Sequence, residues 1–310
     1  MAKRKETWII PEDTSHLIEQ SLEISVNSLA SNSRRTYERI LERYESVMAL
    51  CKVEPYPLTE HSMRLFIQLQ LTNQKTWSYV NITLESFVHW FRENNAQDLT
   101  KTIEFVRYKK GLRRVMSARF LPFAKKPVTK AMLEQWNALD DPYDNPVHAD
   151  IIFCFMMMWL GFLRISEFMN LTWDDLKITD QGLEMVIAKS KTDQEAEGVR
   201  FLLPKRRDMF DAMSWFAIYE IWHVPEPGER VWCHSDIWIR TKVKLYTALI
   251  GMDPSKYSAH SFRKGGANAA FRARVQHCVI KVHGRWTSEA YQRYTDVQPD
   301  DAAREIILRI

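Results

Sequence analysis

The 310-residue sequence contains 45% hydrophobic and 26% charged residues, and 43 Lys and Arg against 39 Asp and Glu give a formal net charge of +4. No apolar run reaches the ~18 residues that a membrane-spanning helix needs, and residues 1–6 lack the apolar core of a secretory signal. These features predict an intracellular protein with no membrane partner. The four cysteines lack the spacing of a zinc site or of a disulfide framework, so no metal is expected.

The chain is longer than one typical core supports, so the sequence predicts two domains. Residues 1–30 begin polar and show only partial periodicity, which predicts an N-terminal arm. Residues 31–121 contain four stretches with apolar residues at three- and four-residue steps, which predict a compact all-helical domain. The predicted helices are Arg34–Cys51 behind a Ser33 cap, one that opens at Leu58-Thr59-Glu60, Thr76–Glu93 and Ile103–Met116.

The end of this helical domain is strongly basic. Nine Lys and Arg residues against one acid, Glu104, lie between Lys101 and Lys126. Such a stretch favours a nucleic-acid partner, because each cation beside a phosphate releases bound counterions. A solvated helix face followed by a linker explains the composition equally well. The candidate DNA-binding residues in this stretch are Lys101, Arg107, Lys109, Lys110, Arg113 and Arg114.

A linker is predicted over 122–127, followed by a second domain over 128–310 whose first helix is capped by Thr129. A long apolar helix is expected from Asp150 to about Gly161. Alternating apolar residues over 183–187, a loop over 193–198 and a return strand over 199–203 predict a β-hairpin. Further helices are expected over 205–222, over 237–250, from Ser258 to Arg272 and in short pieces to Ile310. The predicted fold class is mainly α with a small antiparallel β-sheet.

Four separated segments of the second domain carry side chains suited to phosphate chemistry. They are Gly161-Phe162-Leu163-Arg164-Ile165-Ser166-Glu167, Lys189-Ser190-Lys191, His260-Ser261-Phe262-Arg263, and Gly284-Arg285-Trp286 with Ala290-Tyr291-Gln292-Arg293-Tyr294. In-line attack on a phosphodiester adds negative charge to the non-bridging oxygens, and Arg164 and Arg263 can meet that charge with paired N–H donors. His260 precedes Arg263 by three residues, so a helix capped by Ser258 would present both side chains on one face. Taken singly, each residue is more often a surface ion pair or a core side chain.

In this order, the segments resemble the motifs of tyrosine recombinases, the phage integrase family. The Gly-Arg-Trp block followed by Ala-Tyr-x-x-Tyr is most similar to the Crypton and DIRS classes of eukaryotic transposon recombinases. The resemblance covers about residues 127–297 and, more weakly, the N-terminal helices. It implies a two-domain, C-shaped clamp on double-stranded DNA that needs no metal and no nucleotide cofactor. It also implies a homotetramer on paired sites that exchanges DNA strands through a Holliday junction and C-terminal helices between neighbours. A C-terminal helix that folds back on its own domain is the alternative for the tail.

The resemblance assigns Arg164 and Arg263 to the scissile phosphate and Tyr294 to the nucleophile. A tyrosine hydroxyl has a free pKa near 10 and needs a neighbouring base, for which His260 is the candidate. Tyr291 is the alternative nucleophile, because many integrases place the tyrosine nine residues after a His or Trp and Tyr294 follows Trp286 by eight.

The remaining assignments are supporting roles. Lys191 is the candidate general acid for the leaving 5′ oxygen. Lys189, at the alternate position of the same hairpin, is its rival and a candidate DNA contact. Trp286 would pack against the nucleophile's segment and donate its indole N–H to the phosphate. Glu167 would orient Arg164 or His260 rather than react.

The predicted function is site-specific cutting and rejoining of DNA through a 3′-phosphotyrosine, for integration or excision of a mobile element. The alternatives are a type IB topoisomerase, a telomere resolvase and a domesticated DNA-binding protein without catalysis. The resemblance to eukaryotic elements places the protein in a nucleus if the host is eukaryotic, and in the cytoplasm otherwise.

Overall fold

The computed structural model of the protein describes residues 31–119, 125–187 and 198–288. The predicted N-terminal arm and the C-terminal tail lie outside these ranges. The chain divides into two compact units, one within residues 1–122 and one within residues 123–310. Within the described ranges, no helix has both the length and the apolar character needed to cross a membrane.

Four α-helices are described in the first unit, in the positions that the apolar periodicity predicts. They are α1 (Ser31–Leu50), α2 (Glu60–Thr72), α3 (Trp77–Glu93) and α4 (Ile103–Arg119), with a short 3-10 turn at Leu99–Lys101 before α4. The side chains of Thr59 and Thr76 cap α2 and α3 by accepting backbone N–H bonds. The predicted Ser33 cap is wrong, because α1 already begins at Ser31 and Ser33 lies in its first turn.

The core of the first unit is built from one face of each helix. On α1, Ile40, Tyr44 and Met48 recur at four-residue steps and are buried. The Tyr44 ring meets Phe66 of α2 and Phe87 of α3 edge to face, with ring centroids 5.4 Å apart in both pairs. These aromatic contacts fix the packing of the helices that carry α4.

The second unit is organised around one long apolar helix. Its helices are α5 (Lys130–Asn137), α6 (Pro146–Leu160), α7 (Ile165–Met169), α8 (Ala212–Trp222), α9 (Asp236–Leu249), α10 (His260–Arg272) and α11 (His277–His283). Twelve of the fifteen residues of α6 are buried, because its sequence is apolar on all sides. The predicted Thr129 cap on α5 is confirmed by its bond from the Met132 N–H.

Two helices of the second unit begin at residues other than those predicted, because a side chain caps each start. Helix α6 begins at Pro146 rather than Asp150, because the Asn145 side chain accepts the N–H bonds of the first turn. Helix α8 begins at Ala212 rather than near residue 205, because Asp211 caps it. In both cases the cap lies in a polar segment that shows no helical period.

The predicted β-hairpin is present and forms part of a three-stranded antiparallel sheet. The strands are β1 (Leu176–Thr179), β2 (Gly182–Ile187) and β3 (Val199–Pro204), in the order β1-β2-β3. In β2, Leu183, Met185 and Ile187 are buried, as the two-residue period of a strand requires. The fold class is therefore mainly α with a small antiparallel sheet.

Helix α10 approaches α6 closely because two glycines face its neighbours. A Cβ atom on Gly265 would lie 1.9 Å from the Val128 carbonyl oxygen, and one on Gly266 would lie 2.3 Å from that of Trp159. Glycine weakens a helix interior by about 0.5–1 kcal/mol relative to alanine. Because Gly265 and Gly266 have no side chains, the preceding turn of α10, which carries Arg263, can pack against the end of α6.

Candidate active site

The turn that joins α6 to α7 carries the first predicted site residue, Arg164. Gly161 ends α6, and Phe162 adopts a φ of +46°, in the left-handed region. Arg164 then adopts an extended backbone at the N-cap of α7, and its N–H donates to Glu167 Oε2 at 2.9 Å. The Gly-Phe-Leu-Arg segment is thus a tight turn that fixes the backbone of Arg164.

The Glu167 carboxylate lies at the centre of the site, with a side-chain exposure of 0%. Its Oε1 accepts a hydrogen bond from Arg164 Nη1 at 2.5 Å. Its Oε2 accepts one from Arg285 Nη2 at 3.0 Å and lies 3.7 Å from Arg263 Nη1. Three guanidinium groups therefore surround one carboxylate, a net charge of 3 − 1 = +2. This placement fits the predicted orienting role of Glu167 toward Arg164.

The charge of this cluster depends on the ionisation of Glu167. Burial raises the pKa of Glu167, but the Arg285 charge, the Arg164 N–H and guanidinium and the Arg263 charge together bring the pKa below its usual value. Glu167 is therefore a carboxylate at neutral pH. A buried ion of this kind depends on its partners, because an unpaired charge in the interior is costly.

Arg263 is almost fully enclosed, with 1% of its surface exposed. Its Nη1 donates to the Phe162 carbonyl at 2.5 Å, and its Nη2 donates to the Gly284 carbonyl. The guanidinium carbon lies 4.3 Å from the centroid of the Trp286 ring, a cation–π contact. The structure thus brings Arg164 and Arg263 to the same carboxylate, and the donors of Arg263 that are described here bind backbone carbonyls.

His260 is the first residue of α10 and is exposed, whereas Arg263, one turn later, is buried. Partial desolvation lowers the pKa of His260, and the charges of Arg263, Arg164 and Lys264 lower it further. The imidazole is therefore neutral at pH 7, the form that a general base requires. The two arginines that act on its pKa are the two that were predicted to bind the phosphate.

The predicted Ser258 cap of α10 is wrong. The N-cap residue is Ala259, which makes no side-chain bond to the helix. The Ser258 N–H instead donates to Ser261 Oγ at 3.0 Å, so the side chain of a serine within the helix accepts a bond from the residue before the N-cap.

Trp286 is 8% exposed and lies between Arg263 and the α6–α7 turn. Its ring centroid is 6.3 Å from that of Phe162. These contacts place Trp286 beside the arginine cluster. Its packing on the nucleophile's segment involves residues that the structure does not describe.

The predicted DNA-binding residues of the first unit divide between two parts of its surface. Lys109, Lys110 and Arg113 on α4 line a groove against the start of α3, which we call the basic groove. Its other lining residues include Trp77, Ser78 and Asn81. Arg107 and Arg114 are exposed on α4 outside this groove. The Lys101 ammonium lies 3.4 Å from Asp98.

Comparison with known proteins gives one curated relative. No protein-family model matches the sequence. An integrase/recombinase XerD homolog from Selenomonas ruminantium is 28% identical over 148 residues, which covers 43% of this chain and 43% of that protein. The chain therefore matches less than half the length of this curated relative.

Solved structures match more of the chain at lower identity. The XerH site-specific recombinase bound to palindromic difH substrate gives a TM-score of 0.62 at 13% identity, over 86% of this chain and 75% of that one. A Tn1549 transposon integrase in complex with transposon right end DNA gives 0.65 at 14% identity, over 95% and 98%. A lambda integrase dimer bound to a COC′ core site gives 0.56 at 12% identity, over 94% and 77%. The chain has the tyrosine recombinase fold.

Four predicted site residues lie outside the described residues. Lys189 and Lys191 fall between the end of β2 at Ile187 and the start of β3 at Val199. Tyr291 and Tyr294 follow the described range, which ends at residue 288. Their assignments as general acid and nucleophile remain predictions.

Sequence reasoning missed Arg285, although it lies in the Gly-Arg-Trp block. The arginine is 9% exposed and bonds to Glu167. One signal could have found it. Arg285 precedes Tyr294 by nine residues, the spacing that the resemblance gives for the His or Trp of the site, whereas Trp286 precedes Tyr294 by eight.

Proposed function

We propose that this chain is a site-specific DNA recombinase that cuts and rejoins DNA strands through a 3′-phosphotyrosine intermediate. The observation that carries the proposal is the buried Glu167 carboxylate, which holds Arg164 and Arg263 in one cluster beside a neutral His260. Phosphoryl transfer requires such preorganised cations, because negative charge develops on the non-bridging oxygens in the transition state. The XerD homolog and the DNA-bound recombinase structures support the same reaction class.

The proposed reaction begins with in-line attack by the Tyr294 oxygen on the scissile phosphorus. A bond from the tyrosine oxygen to phosphorus forms, and the bond from phosphorus to the 5′ oxygen breaks. His260 takes the phenolic proton, and Lys191 delivers a proton to the leaving 5′ oxygen. Attack by a 5′ hydroxyl in the reverse direction rejoins the strand. Because the phosphotyrosine link conserves the energy of the broken bond, this scheme uses neither ATP nor a metal ion.

Double-stranded DNA is the proposed partner. The basic groove supports this proposal in the first unit, because three cations there, Lys109, Lys110 and Arg113, lie beside the aromatic side chain of Trp77. Cations neutralise backbone phosphates, while the neighbouring polar side chains can approach sugar or base edges. Arg107, Arg114 and Lys101 extend the same charge along the unit.

We infer a recombinase of the Crypton or DIRS type, which integrates or excises a mobile element. The support is the sequence block Gly284-Arg285-Trp286 with Ala290-Tyr291 and Tyr294. The proposed assembly is a homotetramer on two paired sites, in which the apolar C-terminal segment around Ile306 and Leu308 docks on a neighbouring subunit. The nucleus is the proposed location in a eukaryotic host, and the cytoplasm otherwise.

A covalent capture experiment tests the proposed reaction. The full chain is incubated in EDTA with a pool of nicked duplexes of randomised sequence, and protein–DNA adducts are separated on a denaturing gel and sequenced. Wild type and Tyr291→Phe are expected to form the adduct on the same captured site, and Tyr294→Phe is expected to form none. The Tyr291 variant is the matched control, because it removes the same hydroxyl three residues away.

Other results of the capture experiment would identify one of the three alternative functions. Sequence-specific binding without any adduct would make the chain a domesticated DNA-binding protein. An adduct with relaxation of supercoiled plasmid, but without exchange between two captured sites, would make it a type IB topoisomerase. Closed hairpin ends on the captured sites would identify a telomere resolvase.

A further inference from the structure

Arg285 occupies the turn after α11 with a φ of +55°, and its guanidinium reaches back to the α6–α7 turn. Its Nη2 donates to Glu167 Oε2 at 3.0 Å and to the carbonyls of Gly161 and Phe162, both at 3.1 Å. Its Nη1 donates to the His283 carbonyl at 2.9 Å. The side chain is 5% exposed, so all of these bonds lie within the protein.

These bonds connect Arg285 to both arginines of the predicted site. Glu167 Oε2 accepts the Arg164 N–H at 2.9 Å as well as the Arg285 guanidinium. The Phe162 carbonyl accepts Arg263 Nη1 at 2.5 Å as well as Arg285 Nη2. Each of the two acceptors is therefore shared between Arg285 and one of Arg164 and Arg263.

The Phe162 carbonyl belongs to a residue that needs support. A phenylalanine with a φ of +46° is held in a sparsely populated backbone region, which persists only where the surroundings determine it. Two guanidiniums that bind the same carbonyl supply that constraint. Loss of Arg285 would remove one of the two guanidiniums that bind the Phe162 carbonyl and would leave the Glu167 carboxylate with one cation fewer.

We propose that Arg285 is a positioning residue, which sets the geometry of Arg164 and Arg263 through Glu167 and the Phe162 carbonyl and does not itself contact the phosphate. This inference rests on the proposed function. It assigns to the arginine of the Gly-Arg-Trp block a role separate from that of Trp286, whose ring lies against Arg263. The rival role for Arg285 is a third cation that binds the scissile phosphate directly.

A double-mutant cycle separates the two roles. Rates of adduct formation on a captured site are measured for wild type, Arg285→Gln, Glu167→Gln and the double variant, at saturating DNA. If Arg285 acts through Glu167, each single change lowers the rate about ten- to a hundredfold, as for residues that orient a site ligand. The double variant then loses no more than the worse single variant. Losses that multiply in the double variant would overturn the inference and favour direct phosphate binding.

The pH profile gives a readout that a general loss of packing does not move. Removal of the Arg285 charge lets burial raise the pKa of Glu167, so Arg285→Gln should lose activity at a higher pH than wild type as the pH falls. Addition of Glu167→Gln should remove this shift, because no carboxylate is left to titrate. Arg285→Lys, which keeps the charge, should restore the wild-type profile in part. An unshifted profile in Arg285→Gln contradicts the proposal.

The controls keep the inference separate from the proposed function. Arg272→Gln removes the same side chain from the exposed end of α10 and should leave the rate unchanged. If wild type forms no adduct on any DNA, the proposed function fails. The same four variants then test the link between Arg285 and Glu167 through their unfolding midpoints in urea. Additive shifts of the midpoints would show that the two residues do not act as a unit and would overturn the inference on its own.

Discussion

The Arg263 guanidinium lies over the Trp286 ring, 4.3 Å from its centroid, and the same guanidinium donates to the Gly284 carbonyl two residues earlier. One side chain thus fixes both the backbone and the aromatic ring of the Gly-Arg-Trp block. The contact joins two motifs that are 21 residues apart in sequence. Arg263 therefore positions this block at the same time as it contributes charge to the site.

Substitution of Gly284 tests whether this packing matters. A Cβ atom at residue 284 would lie 1.7 Å from the Trp286 ring, so Gly284→Ala must displace the indole. We expect a loss of about 1–3 kcal/mol in the free energy of unfolding, the usual cost of overpacking, measured by urea denaturation. Adduct formation should decrease as well, because Arg263 loses its aromatic contact.

Gly111 provides the matched control for this substitution. It lies in the exposed part of α4, and a Cβ atom there would meet nothing within 4 Å. Gly111→Ala should therefore stabilise the first unit by roughly 0.5–1 kcal/mol, because alanine favours a helix. Equal effects at the two glycines would show that the Trp286 contact is not tightly packed.

The comparison of sequence with structure shows which features a pattern can predict. The strand over 183–187 was predictable, because a buried face imposes a two-residue period, whereas the start of α8 was not, because its cap Asp211 lies in a polar segment. Arg164 and Arg263 were singled out by their motifs, and the structure brings both to Glu167, while their role on a phosphate stays a prediction. The role of Arg285 was not, because it depends on a contact with Glu167 across 118 residues of sequence.

His260 predicts how the reaction depends on pH. Desolvation lowers its pKa below 6.5, and Arg263, Arg164 and Lys264 lower it further. Only the neutral imidazole accepts the tyrosine proton, so the adduct rate should increase with pH through this lowered pKa and reach half of its maximum below the ordinary pKa of histidine. The folded protein also binds fewer protons than the unfolded chain in this window, so the stability that His260 contributes decreases as the pH falls.

Lys264→Gln tests whether neighbouring positive charge lowers the pKa of His260. Removal of one repelling charge should raise the pKa of His260 and move the acidic limb of the rate profile to higher pH. Lys205→Gln, a change of the same charge on an exposed residue after β3, should leave the limb in place. An acidic limb that persists unchanged in His260→Gln would exclude His260 as the titrating base.

The hairpin lysines can be distinguished with a substrate whose leaving group needs no proton. A 5′-bridging phosphorothiolate releases a thiolate, and a thiol with a pKa near 8.5 leaves without a general acid. Lys191→Ala should lose about 10²- to 10⁴-fold in adduct rate on the oxygen substrate and recover on the sulfur substrate. Lys189→Ala should show no such difference between the two substrates.

The reverse pattern would make Lys189 the general acid. Because the two lysines are two residues apart, a strand would present both on the same face, so the result identifies which of them reaches the leaving oxygen. Failure of sulfur to rescue either variant would exclude both lysines from this role. The measurement thus decides which lysine of the segment between β2 and β3 is the general acid.

The basic groove predicts a particular change in the salt dependence of DNA binding. Each phosphate contact contributes about −0.9 to the slope of the logarithm of the binding constant against the logarithm of salt concentration. If Lys109 and Arg113 each contact one phosphate, the double variant Lys109→Ala/Arg113→Ala should make the slope shallower by about 1.8. Lys52→Ala, which removes an exposed cation outside the groove, should change the slope little. Binding is measured by fluorescence anisotropy between 50 and 200 mM salt, a range over which about six to ten phosphate contacts change affinity by roughly 10³- to 10⁵-fold.

An unchanged slope in the double variant would exclude the groove as a phosphate-binding surface and direct attention to Arg107 and Arg114, which lie on α4 outside it. A shallower slope with an unchanged sequence preference would show that the groove holds the DNA backbone and that other side chains read the bases.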